Sequence, residues 1–575
     1  MKYKLINTPI REDYARNLLK CRGVVDYDLF INPTKECLID PIKLDNMHKG
    51  FDLLKSNIIA GKKIVIVIDC DVDGFTSAAI LWNRIKEFEP KANLEYRIHS
   101  GKQHGLEDII KEFEESNNLP SLVVLPDASS NDYEYHTRLK NMGVNVLVLD
   151  HHEAEYESED AIVINNQLSK NYENKALTGA GVVWQFCRYF DTCVSQPGTS
   201  DKYIDLAALG IVSDMASVLT LENRYIISNG LKEIDNHFFQ TILDKQAFSI
   251  GNKLVPWKIS FYVTPLINAL IRVGTMEEKD KLFQAFVDGK QIVPSTKRGE
   301  KGMTETVATQ MARECTNARS RQNRIKDKAV EQLEIKIANH DLLSNKILFV
   351  RLDDDDDFPA VLNGLVAMQL AAKYKRPTVV ARLNKEGYCR GSIRGMNNSE
   401  LKDFKGFLNE TGMFEYVEGH ANAAGCSIKN SDLGNFHNYA NENLSEIDFN
   451  TDVYDVNFIF NSKKDLSDFV YEMDSISDTF GQTNDDPVIV IENIKIHKDE
   501  LSIIGANKDT IKIQSNGVVI MLFKGEEFLS TIATLPNVFD MTILGTTNIN
   551  EYCGNSTPQI MVKQWDVKTS SMFDF

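Results

Sequence analysis

The sequence predicts an α/β protein built from a parallel-sheet domain, a long connecting helix, a smaller α/β domain and a C-terminal β-barrel. Runs of aliphatic and β-branched residues alternate with helix-like segments through the first half, which is typical of a parallel sheet covered by helices. The segment 304–341 contains no Gly or Pro and therefore favours one long helix. Short alternating apolar runs from about residue 450 onward indicate a small β-barrel.

Three strand-like runs in the first half each end in an aspartate. They are KKIVIVID (62–69), SLVVLPD (121–127) and VNVLVLD (144–150). In open α/β sheets, ligands bind beyond the carboxyl ends of the strands. We therefore expect the three terminal aspartates to point into one crevice.

The next segments predict the helices that cover this sheet. FTSAAILWNRIKEF (75–88) follows the first strand, and LTGAGVVWQFCRYF (177–190) has an amphipathic pattern. IDLAALGIVSDMASV (204–218) predicts a buried helix that ends near Asp214. Further along, the strand-like runs 346–352 and 376–383 flank a helix-like run at 361–374 and indicate the second α/β domain.

These patterns divide the chain of 575 residues into five parts. We expect an N-terminal arm (1–40), a parallel-sheet domain (41–300), a connecting helix (301–340), a smaller α/β domain (341–448) and a C-terminal barrel (449–575).

Composition excludes several classes of protein. The chain has 82 acidic against 64 basic residues, a net charge of −18, which excludes a generally basic coat for nucleic acid. An acidic chain can still process a polyanion if bound cations neutralise its active site. Nine scattered cysteines without a CxxC pair argue against disulfides and structural zinc. With no signal peptide and no apolar membrane span, a cytoplasmic protein without membrane association is expected.

The strongest chemical signal is DCDVDG at 69–74, where Asp69, Asp71 and Asp73 alternate after a buried strand. Acids this close repel one another unless cations lie between them. The motif alone also fits a calcium loop. Five later residues favour metal catalysis, because they come at the ends of other strands of the predicted sheet or of a helix that covers it. They are Asp127, Asp150, His151, His152 and Asp214.

Mixed Asp and His ligation suits manganese(II) or magnesium better than a thiolate-preferring zinc site. This much acid indicates two ions that share a bridging carboxylate. The alternative is that each aspartate only caps a turn or a helix, the ordinary role of any one of them. Six aspartates at converging positions beside two adjacent histidines favour the metal site.

At this point the residues resemble the DHH phosphoesterase family and, within it, the RecJ exonucleases. The motifs DHH (150–152), DxDxDG (69–74), TGAGV and ALGIVSDMASV occur in the family's order, and Asn268 and Arg272 match its Asn-Ala-x-x-Arg element. GHANAAG (419–425) is similar to a motif of the DHH-associated domain, and GSIRG (391–395) to its phosphate-binding turn. FGQTNDDP (480–487) and INEYCGNSTPQIMV (549–562) resemble the start and end of the RecJ OB-like domain.

Some positions depart from the family. Ile271 and Glu418 stand where the family has glycine, and His99 stands where it has an arginine. None of these changes removes a predicted metal ligand. We therefore expect a divergent member of the family.

The resemblance implies a metal-dependent enzyme that hydrolyses single-stranded DNA from the 5′ end to 5′-mononucleotides, in DNA repair and recombination. It implies two Mn²⁺ ions, with Mg²⁺ as the other option, and as partners single-stranded DNA, a single-strand-binding protein and a helicase. The best candidates for direct ligands are Asp71, Asp73, Asp127, His151 and Asp214.

Asp69, Asp150 and His152 are either further ligands or groups that orient the ligands. His420 and Arg272 are expected to neutralise charge on the phosphoryl oxygens. Asn268, Ser392 and Arg394 complete the predicted phosphate-binding set, with Ser392 and Arg394 holding the terminal 5′-phosphate.

Two other functions stay open at this stage. A DHH phosphodiesterase for short oligonucleotides or cyclic dinucleotides would not need the C-terminal barrel. An inert DHH scaffold that binds single strands would have no reason to keep all six aspartates.

Overall fold

The structure, a computed structural model, describes residues 1–7, 12–100, 105–107, 109–116, 118–300, 302–505, 508–515, 517–552 and 555–568. The chain divides into two compact units. The N-terminal unit comprises Val24–Gln322 together with the short segment Asp478–Asp485. The C-terminal unit comprises Met1–Gly23, Asn323–Ser477 and Asp486–Phe575.

The elements up to residue 339 are mainly helical. The strands are β1 (Lys2–Leu5), β2 (Ile64–Ile68), β3 (Leu94–Ile98), β4 (Leu122–Pro126), β5 (Asn145–Asp150), β6 (Ile162–Asn165), β7 (Ile292–Pro294) and β8 (Thr304–Thr306). The helices are α1 (Tyr14–Cys21), α2 (Tyr27–Ile31), α3 (Met47–Ile59), α4 (Val72–Phe88), α5 (Ile109–Glu115), α6 (Tyr133–Asn141), α7 (Gly179–Cys193), α8 (Ile204–Ser213), α9 (Leu221–Gly230), α10 (His237–Lys245), α11 (Ala247–Ile250), α12 (Pro256–Tyr262), α13 (Thr264–Val273), α14 (Met276–Asp288) and α15 (Val307–Asn339).

A parallel sheet of strand order β3-β2-β4-β5-β6 forms the centre of the N-terminal unit. Every residue of β2 and β4 is buried, as continuous aliphatic strands covered on both faces require. The predicted parallel-sheet domain is confirmed. Because β2, β4 and β5 are adjacent and parallel, their carboxyl ends lie side by side.

Helices α4 and α7 are joined by a buried ion pair between Arg84 and Asp191. Arg84 Nε lies 2.5 Å from Asp191 Oδ1, and both side chains are 1% exposed. Asp191 Oδ2 also accepts a hydrogen bond from the backbone N–H of Ser200 at 2.7 Å. The pair therefore fixes two helices whose N-terminal ends both lie at the carboxyl edge of the sheet.

The structure fixes the ends of two predicted helices. Helix α8 ends at Ser213, next to Asp214 as predicted, because Asp214 is its C-terminal cap and Met215 has a φ of 58°, which a helix cannot continue. The long connecting helix is confirmed, but it begins at Val307 because Thr304–Thr306 pair with Ile292–Pro294 as a short antiparallel ladder.

The C-terminal unit continues with mainly extended elements. The strands are β9 (Leu348–Leu352), β10 (Thr378–Leu383), β11 (Tyr388–Arg394), β12 (Phe414–His420), β13 (Ala423–Lys429), β14 (Val453–Val456), β15 (Phe458–Phe460), β16 (Val488–His497), β17 (Leu501–Ile504), β18 (Thr510–Ser515), β19 (Val518–Leu522), β20 (Val538–Tyr552) and β21 (Asn555–Lys568). The helices are α16 (Asn363–Tyr374), α17 (Phe404–Glu410), α18 (Leu433–Asn443), α19 (Leu466–Ser475) and α20 (Glu526–Ala533).

Two sheets organise this unit. A mixed sheet of order β12-β13-β11-β10-β9 forms the smaller α/β domain, and a sheet of order β15-β16-β20-β21-β19-β18-β17 forms the OB-like part. Both confirm the predicted fold class. Strand β1 pairs in parallel with β14, from Lys2 opposite Val453 to Leu5 opposite Val456, so the predicted N-terminal arm begins as part of the C-terminal unit.

Among the residues that the structure describes, no helix is both long enough and apolar enough to cross a membrane.

Replacing Asp191 by Asn should destabilise the N-terminal unit. Arg84 would keep its charge in a buried position without its anionic partner, which costs about 3–5 kcal/mol of unfolding free energy. Urea denaturation of the Asp191→Asn variant measures this loss. Asp201→Asn is the matched control, since its ion pair with Lys35 is solvent-exposed and such pairs contribute about 0–1 kcal/mol. Equal effects of the two substitutions would contradict the role given to the buried pair.

Candidate metal centre

Six aspartates and two histidines converge at the carboxyl edge of the parallel sheet. Their ligand atoms form three groups in which all atoms lie within 4.8 Å of one another: Asp127, Asp150, His151 and His152; Asp73, His151 and Asp214; and Asp69, Asp71 and Asp127. The structure thus brings together every residue that the sequence predicted as a metal ligand, along with His152.

Strand ends supply three of these acids. Asp69 directly follows β2, Asp127 directly follows β4, and Asp150 is the last residue of β5. The three strands are neighbours in the order β2-β4-β5. This arrangement explains why aspartates far apart in sequence meet at one point.

Helix N-termini hold the next two acids. Asp71 caps α4 by accepting the Gly74 N–H on its Oδ1 at 3.0 Å. Asp73 lies in front of α7, where it accepts hydrogen bonds from the N–H groups of Gly179 at 2.8 Å and Ala180 at 3.1 Å. Backbone N–H groups at a helix N-terminus stabilise a carboxylate, so α7 orients Asp73.

Two glycines let the backbone approach the acids closely. A Cβ at Gly179 would lie 2.2 Å from Asp127 Oδ1, and a Cβ at Gly210 would lie 2.2 Å from Asp73 Oδ1. No side chain fits at such distances. The glycines of the TGAG and ALG segments are therefore required by packing against the acids.

Asp127 has an unusual backbone conformation. Its φ of 69° is left-handed, a conformation that costs a residue other than glycine about 1–3 kcal/mol, and its N–H donates to the Leu149 carbonyl at 2.8 Å. Its buried Oδ1 lies 3.2 Å from His151 Nε2 but accepts no hydrogen bond from any described residue. A buried carboxylate oxygen without a donor fits a cation ligand.

Asp150, by contrast, is fully hydrogen-bonded. Its Oδ1 accepts from the N–H of His151 at 2.7 Å and from His152 Nδ1 at 2.7 Å. Its Oδ2 accepts from the N–H of Ser130 at 3.0 Å. This pattern is that of a residue that orients the His151–His152 turn.

The buried acids raise one another's pKa. Burial, followed by the charge of Asp71, raises the pKa of Asp73 to about 7. Burial, followed by the charge of Asp73, also raises the pKa of Asp127 and of Asp214 well above the ordinary value. The ionised cluster is therefore unfavourable without counter-charge, and divalent cations supply that charge.

The two histidines are shifted in opposite directions. Burial, followed by the neighbouring His152 charge, lowers the pKa of His151 to about 4, so its ring is neutral near pH 7 and can ligate a metal. The charge of Asp150 raises the pKa of His152 to about 10 despite burial. His152 therefore carries positive charge at the edge of the centre.

Arg272 and Asn268, both on α13, belong to the same unit. Burial lowers the pKa of Arg272, and the charge of Asp71 in the DxDxDG motif offsets this only in part. Asn268 Oδ1 is buried and accepts no hydrogen bond within the described part of the chain. The Arg272 guanidinium suits a ligand that carries phosphate.

The remaining predicted residues lie in the C-terminal unit, at one end of its mixed sheet. Arg394 on β11 and His420 on β12 both stand opposite Ala423 of the strand between them, and Ser392 stands opposite Gly425. A Cβ at Gly364 would lie 2.4 Å from Arg394 Nη2, so this glycine makes room for the guanidinium.

Sequence reasoning missed the polar residues that support the acids. Thr178 Oγ1 donates to Asp73 at 3.1 Å. Asn165 Nδ2 donates to the Ser130 hydroxyl at 2.8 Å and to the His152 carbonyl at 2.9 Å. Thr178 is the first residue of the TGAGV motif and could have been found there. Nothing in the pattern around Asn165 marks it.

The donor set fits hard divalent cations. Carboxylate oxygens and one neutral imidazole are ligands that Mn²⁺ and Mg²⁺ accept, and the set contains no thiolate. The centre is therefore suited to a divalent metal.

Comparison with protein families assigns two parts of the chain. Residues 63–211 match the DHH family, N-terminal domain, and residues 463–564 match the RecJ OB domain. A putative SPbeta prophage-derived single-strand DNA-specific exonuclease, YorK, from Bacillus subtilis (strain 168) is 37% identical over 99% of this chain and 98% of its own length. The chain belongs to the RecJ group of the DHH family. It is thus an enzyme of a nuclease family.

Longer RecJ proteins are also similar to this chain. The single-stranded-DNA-specific exonuclease RecJ of Bacillus subtilis (strain 168) is 25% identical over 95% of this chain and 66% of its own length. The crystal structure of RecJ in complex with Mn²⁺ from Thermus thermophilus superposes with a TM-score of 0.71 at 18% identity, over 98% of this chain and 79% of that one. The similarity confirms the RecJ fold.

Mn²⁺ should bind this RecJ-group chain more weakly as the pH falls. Asp73, with a pKa of about 7, is increasingly protonated below that pH, and the metal must displace the proton. We expect the apparent affinity to fall by about tenfold in total between pH 8 and pH 6 for a proton displaced from a group of pKa about 7, and more steeply below pH 6. Calorimetry in buffers of different ionisation enthalpy measures both the affinity and the protons released. A constant affinity without proton release would contradict the raised pKa.

Proposed function

We propose that the chain is a metal-dependent exonuclease that removes 5′-mononucleotides from the 5′ end of single-stranded DNA. Its cofactor would be two Mn²⁺ ions, with Mg²⁺ as the other option. The enzyme would act in DNA repair and recombination. The observation that carries the proposal is the convergence of six aspartates and His151 within overlapping groups at one sheet edge. Such a set can hold two cations that share a carboxylate.

The metal would be held mainly by five side chains: Asp71, Asp73, Asp127, His151 and Asp214. When bound, the ions supply Lewis acidity and lower the pKa of water at neutral pH. Asp127 is the best candidate for the shared ligand, because it belongs to two of the groups. Asp69 is a further candidate ligand, while Asp150 and His152 orient the loop that carries His151.

The chain's own cations would bind the substrate phosphates. Arg272, within range of Asp71, offers a planar fork to two phosphate oxygens. Asn268 would bind the same phosphate. In the C-terminal unit, Ser392 and Arg394 would bind the terminal 5′-phosphate, and His420 would neutralise charge on the phosphoryl oxygens.

The single-stranded DNA substrate is supported by the relatives. YorK and the Bacillus subtilis RecJ are both described as specific for single-stranded DNA. The match to the RecJ OB domain at 463–564 disfavours a phosphodiesterase limited to short oligonucleotides or cyclic dinucleotides, which would not need that domain. A single-strand-binding protein and a helicase stay predicted partners.

Replacing Asp127 by Ala should abolish hydrolysis while leaving the fold intact, because the substitution removes a shared ligand but few apolar contacts. We expect at least about a thousandfold lower rate with Mn²⁺. Strands labelled at the 5′ or the 3′ end, analysed by gel and by mononucleotide release, measure rate and direction together. Asp354→Ala is the matched control, since Asp354 is exposed in the described structure.

Two results would contradict the proposed function. Near-wild-type turnover by the folded Asp127→Ala variant would exclude the metal assignment. Release of mononucleotides first from the 3′ end by the wild-type enzyme would exclude the 5′-to-3′ direction.

Replacing Arg394 by Ala should reduce the preference for 5′-phosphorylated over 5′-hydroxyl strands. The guanidinium can donate two hydrogen bonds to one phosphate, and its loss weakens only substrates that carry that group. We expect about a tenfold smaller ratio of kcat/KM between the two substrates. Arg390→Ala, on the same strand with a half-exposed side chain, is the control. An unchanged ratio would remove Arg394 from the 5′-end site.

A further inference from the structure

An eight-residue segment from far along the chain belongs to the N-terminal unit. Asp478–Asp485 lies between helix α19 and strand β16 of the C-terminal unit, yet its contacts group it with Val24–Gln322. A connection between two elements of one unit has no need to enter another unit. The bonds that hold the segment in the N-terminal unit therefore indicate a role of its own.

One end of the segment is bound by a buried arginine of α9. Arg224 is 1% exposed. Its Nη2 lies 2.5 Å from Asp478 Oδ2, and its Nη1 donates to the Asp478 carbonyl at 3.1 Å. Its Nε donates to the Phe30 carbonyl at 3.0 Å. A buried guanidinium with its donors occupied in this way fixes the segment firmly.

The middle of the segment is bound to the turn that follows α8. The N–H of Val218 donates to the Gln482 carbonyl at 3.1 Å, and the hydroxyls of Ser217 and Thr483 share a hydrogen bond of 2.6 Å. A Cβ at Gly481 would lie 2.9 Å from Val218 Cγ1. Backbone, side chain and close packing thus all join the segment to Ser217 and Val218.

The segment has the internal bonds of a preformed loop. Gly481 and Asn484 exchange backbone hydrogen bonds at 3.1 and 3.0 Å, and the buried Asn484 Nδ2 donates to the Thr479 carbonyl at 2.7 Å. Thr483, at the tip, has a φ of 68°. Such strain persists where the surrounding structure fixes the residue.

The turn that this loop contacts carries a candidate metal ligand. Asp214 is the C-terminal cap of α8, Met215 is left-handed with a φ of 58°, and Ser217 and Val218 follow. Asn223 Nδ2 also donates to the Ser217 carbonyl at 2.8 Å. The turn therefore has bonds from α9 and from the distant segment, while Asp214 is held by its own helix end.

We propose that Asp478–Asp485 is a positioning element for Asp214, so that residues of the C-terminal half help to set the metal affinity of a site formed entirely by the N-terminal unit. The inference rests on the assignment of Asp214 as a metal ligand within the proposed function. Groups that orient metal ligands typically change metal affinity by about ten- to a hundredfold when they are lost.

The position of Asp214 explains why it needs such support. Asp69, Asp127 and Asp150 are fixed by paired strands, and Asp73 by the N-terminus of α7. Asp214 stands just past a helix end, where the N–H groups of Asp214 and Ala216 donate to carbonyls of α8 at 3.0 and 3.2 Å. Beyond these local bonds, the turn is restrained by Asn223 of α9 and by the distant loop.

Two substitutions test the inference without touching a metal ligand. Asp478→Asn removes the charge that binds Arg224, and Gly481→Val forces Val218 to move. We expect both folded variants to bind Mn²⁺ about tenfold more weakly by calorimetry without DNA, with a matching rise in the Mn²⁺ concentration for half-maximal nuclease activity. Saturating Mn²⁺ should restore most of the turnover, and KM for single-stranded DNA should stay unchanged.

Matched variants supply the controls. Asp485→Asn makes the same change of charge within the same segment at an exposed side chain, and should bind Mn²⁺ like the wild type. Asp478→Glu, which keeps the charge beside Arg224, should retain most of the affinity. Circular dichroism and thermal denaturation verify that each variant is folded.

The outcomes separate this inference from the proposed function. Unchanged Mn²⁺ affinity in folded Asp478→Asn and Gly481→Val would overturn the positioning role and leave the segment with a structural role only. Lower turnover that saturating Mn²⁺ does not restore would have the same consequence. A wild-type chain that binds Mn²⁺ but hydrolyses no single strand would refute the nuclease proposal. The calorimetric comparison would still decide the role of the segment.

Discussion

The structure depends on one electrostatic constraint: six aspartates share a small, mostly buried volume. Burial and mutual repulsion raise the pKa of Asp73, Asp127 and Asp214, so folding brings together charges that would separate in the absence of compensation. Divalent cations remove that repulsion, and the donor set suits them. The sheet edge, the helix ends and the glycines of this unit can all be understood as means of holding acids where cations can bind.

The backbone does much of this work. The N-terminus of α7 faces Asp73, and Asp71 caps α4, so two helices direct their N–H groups at the cluster. The buried pair of Arg84 and Asp191 joins the same two helices farther along their length. A shift of either helix would therefore move an acid and break a buried ion pair together, which makes the relative position of the helices rigid.

Much of this could be predicted from the sequence, because periodic patterns and strand-end aspartates are local features. The β2, β4 and β5 runs predicted the sheet and the acids at its edge, the end of a predicted helix added Asp214, and the family motif predicted Arg272. Features that depend on contacts between distant residues could not be predicted. Thr304–Thr306 leave the predicted connecting helix because they pair with Ile292–Pro294, and the role of Asn165 is recognised only when its bond to the His152 carbonyl is seen.

The grouping of Asp478–Asp485 with the N-terminal unit is the clearest case of a feature hidden from sequence. The FGQTNDDP motif resembles the start of the OB-like domain, and reading it as a domain boundary is natural. In the structure these residues instead bind the turn after Asp214. Because metal binding energy is shared with the folding of whatever positions the ligands, a segment outside the sheet can influence the centre without contributing a ligand. Motif order along a chain therefore understates how many parts of the fold determine a metal site.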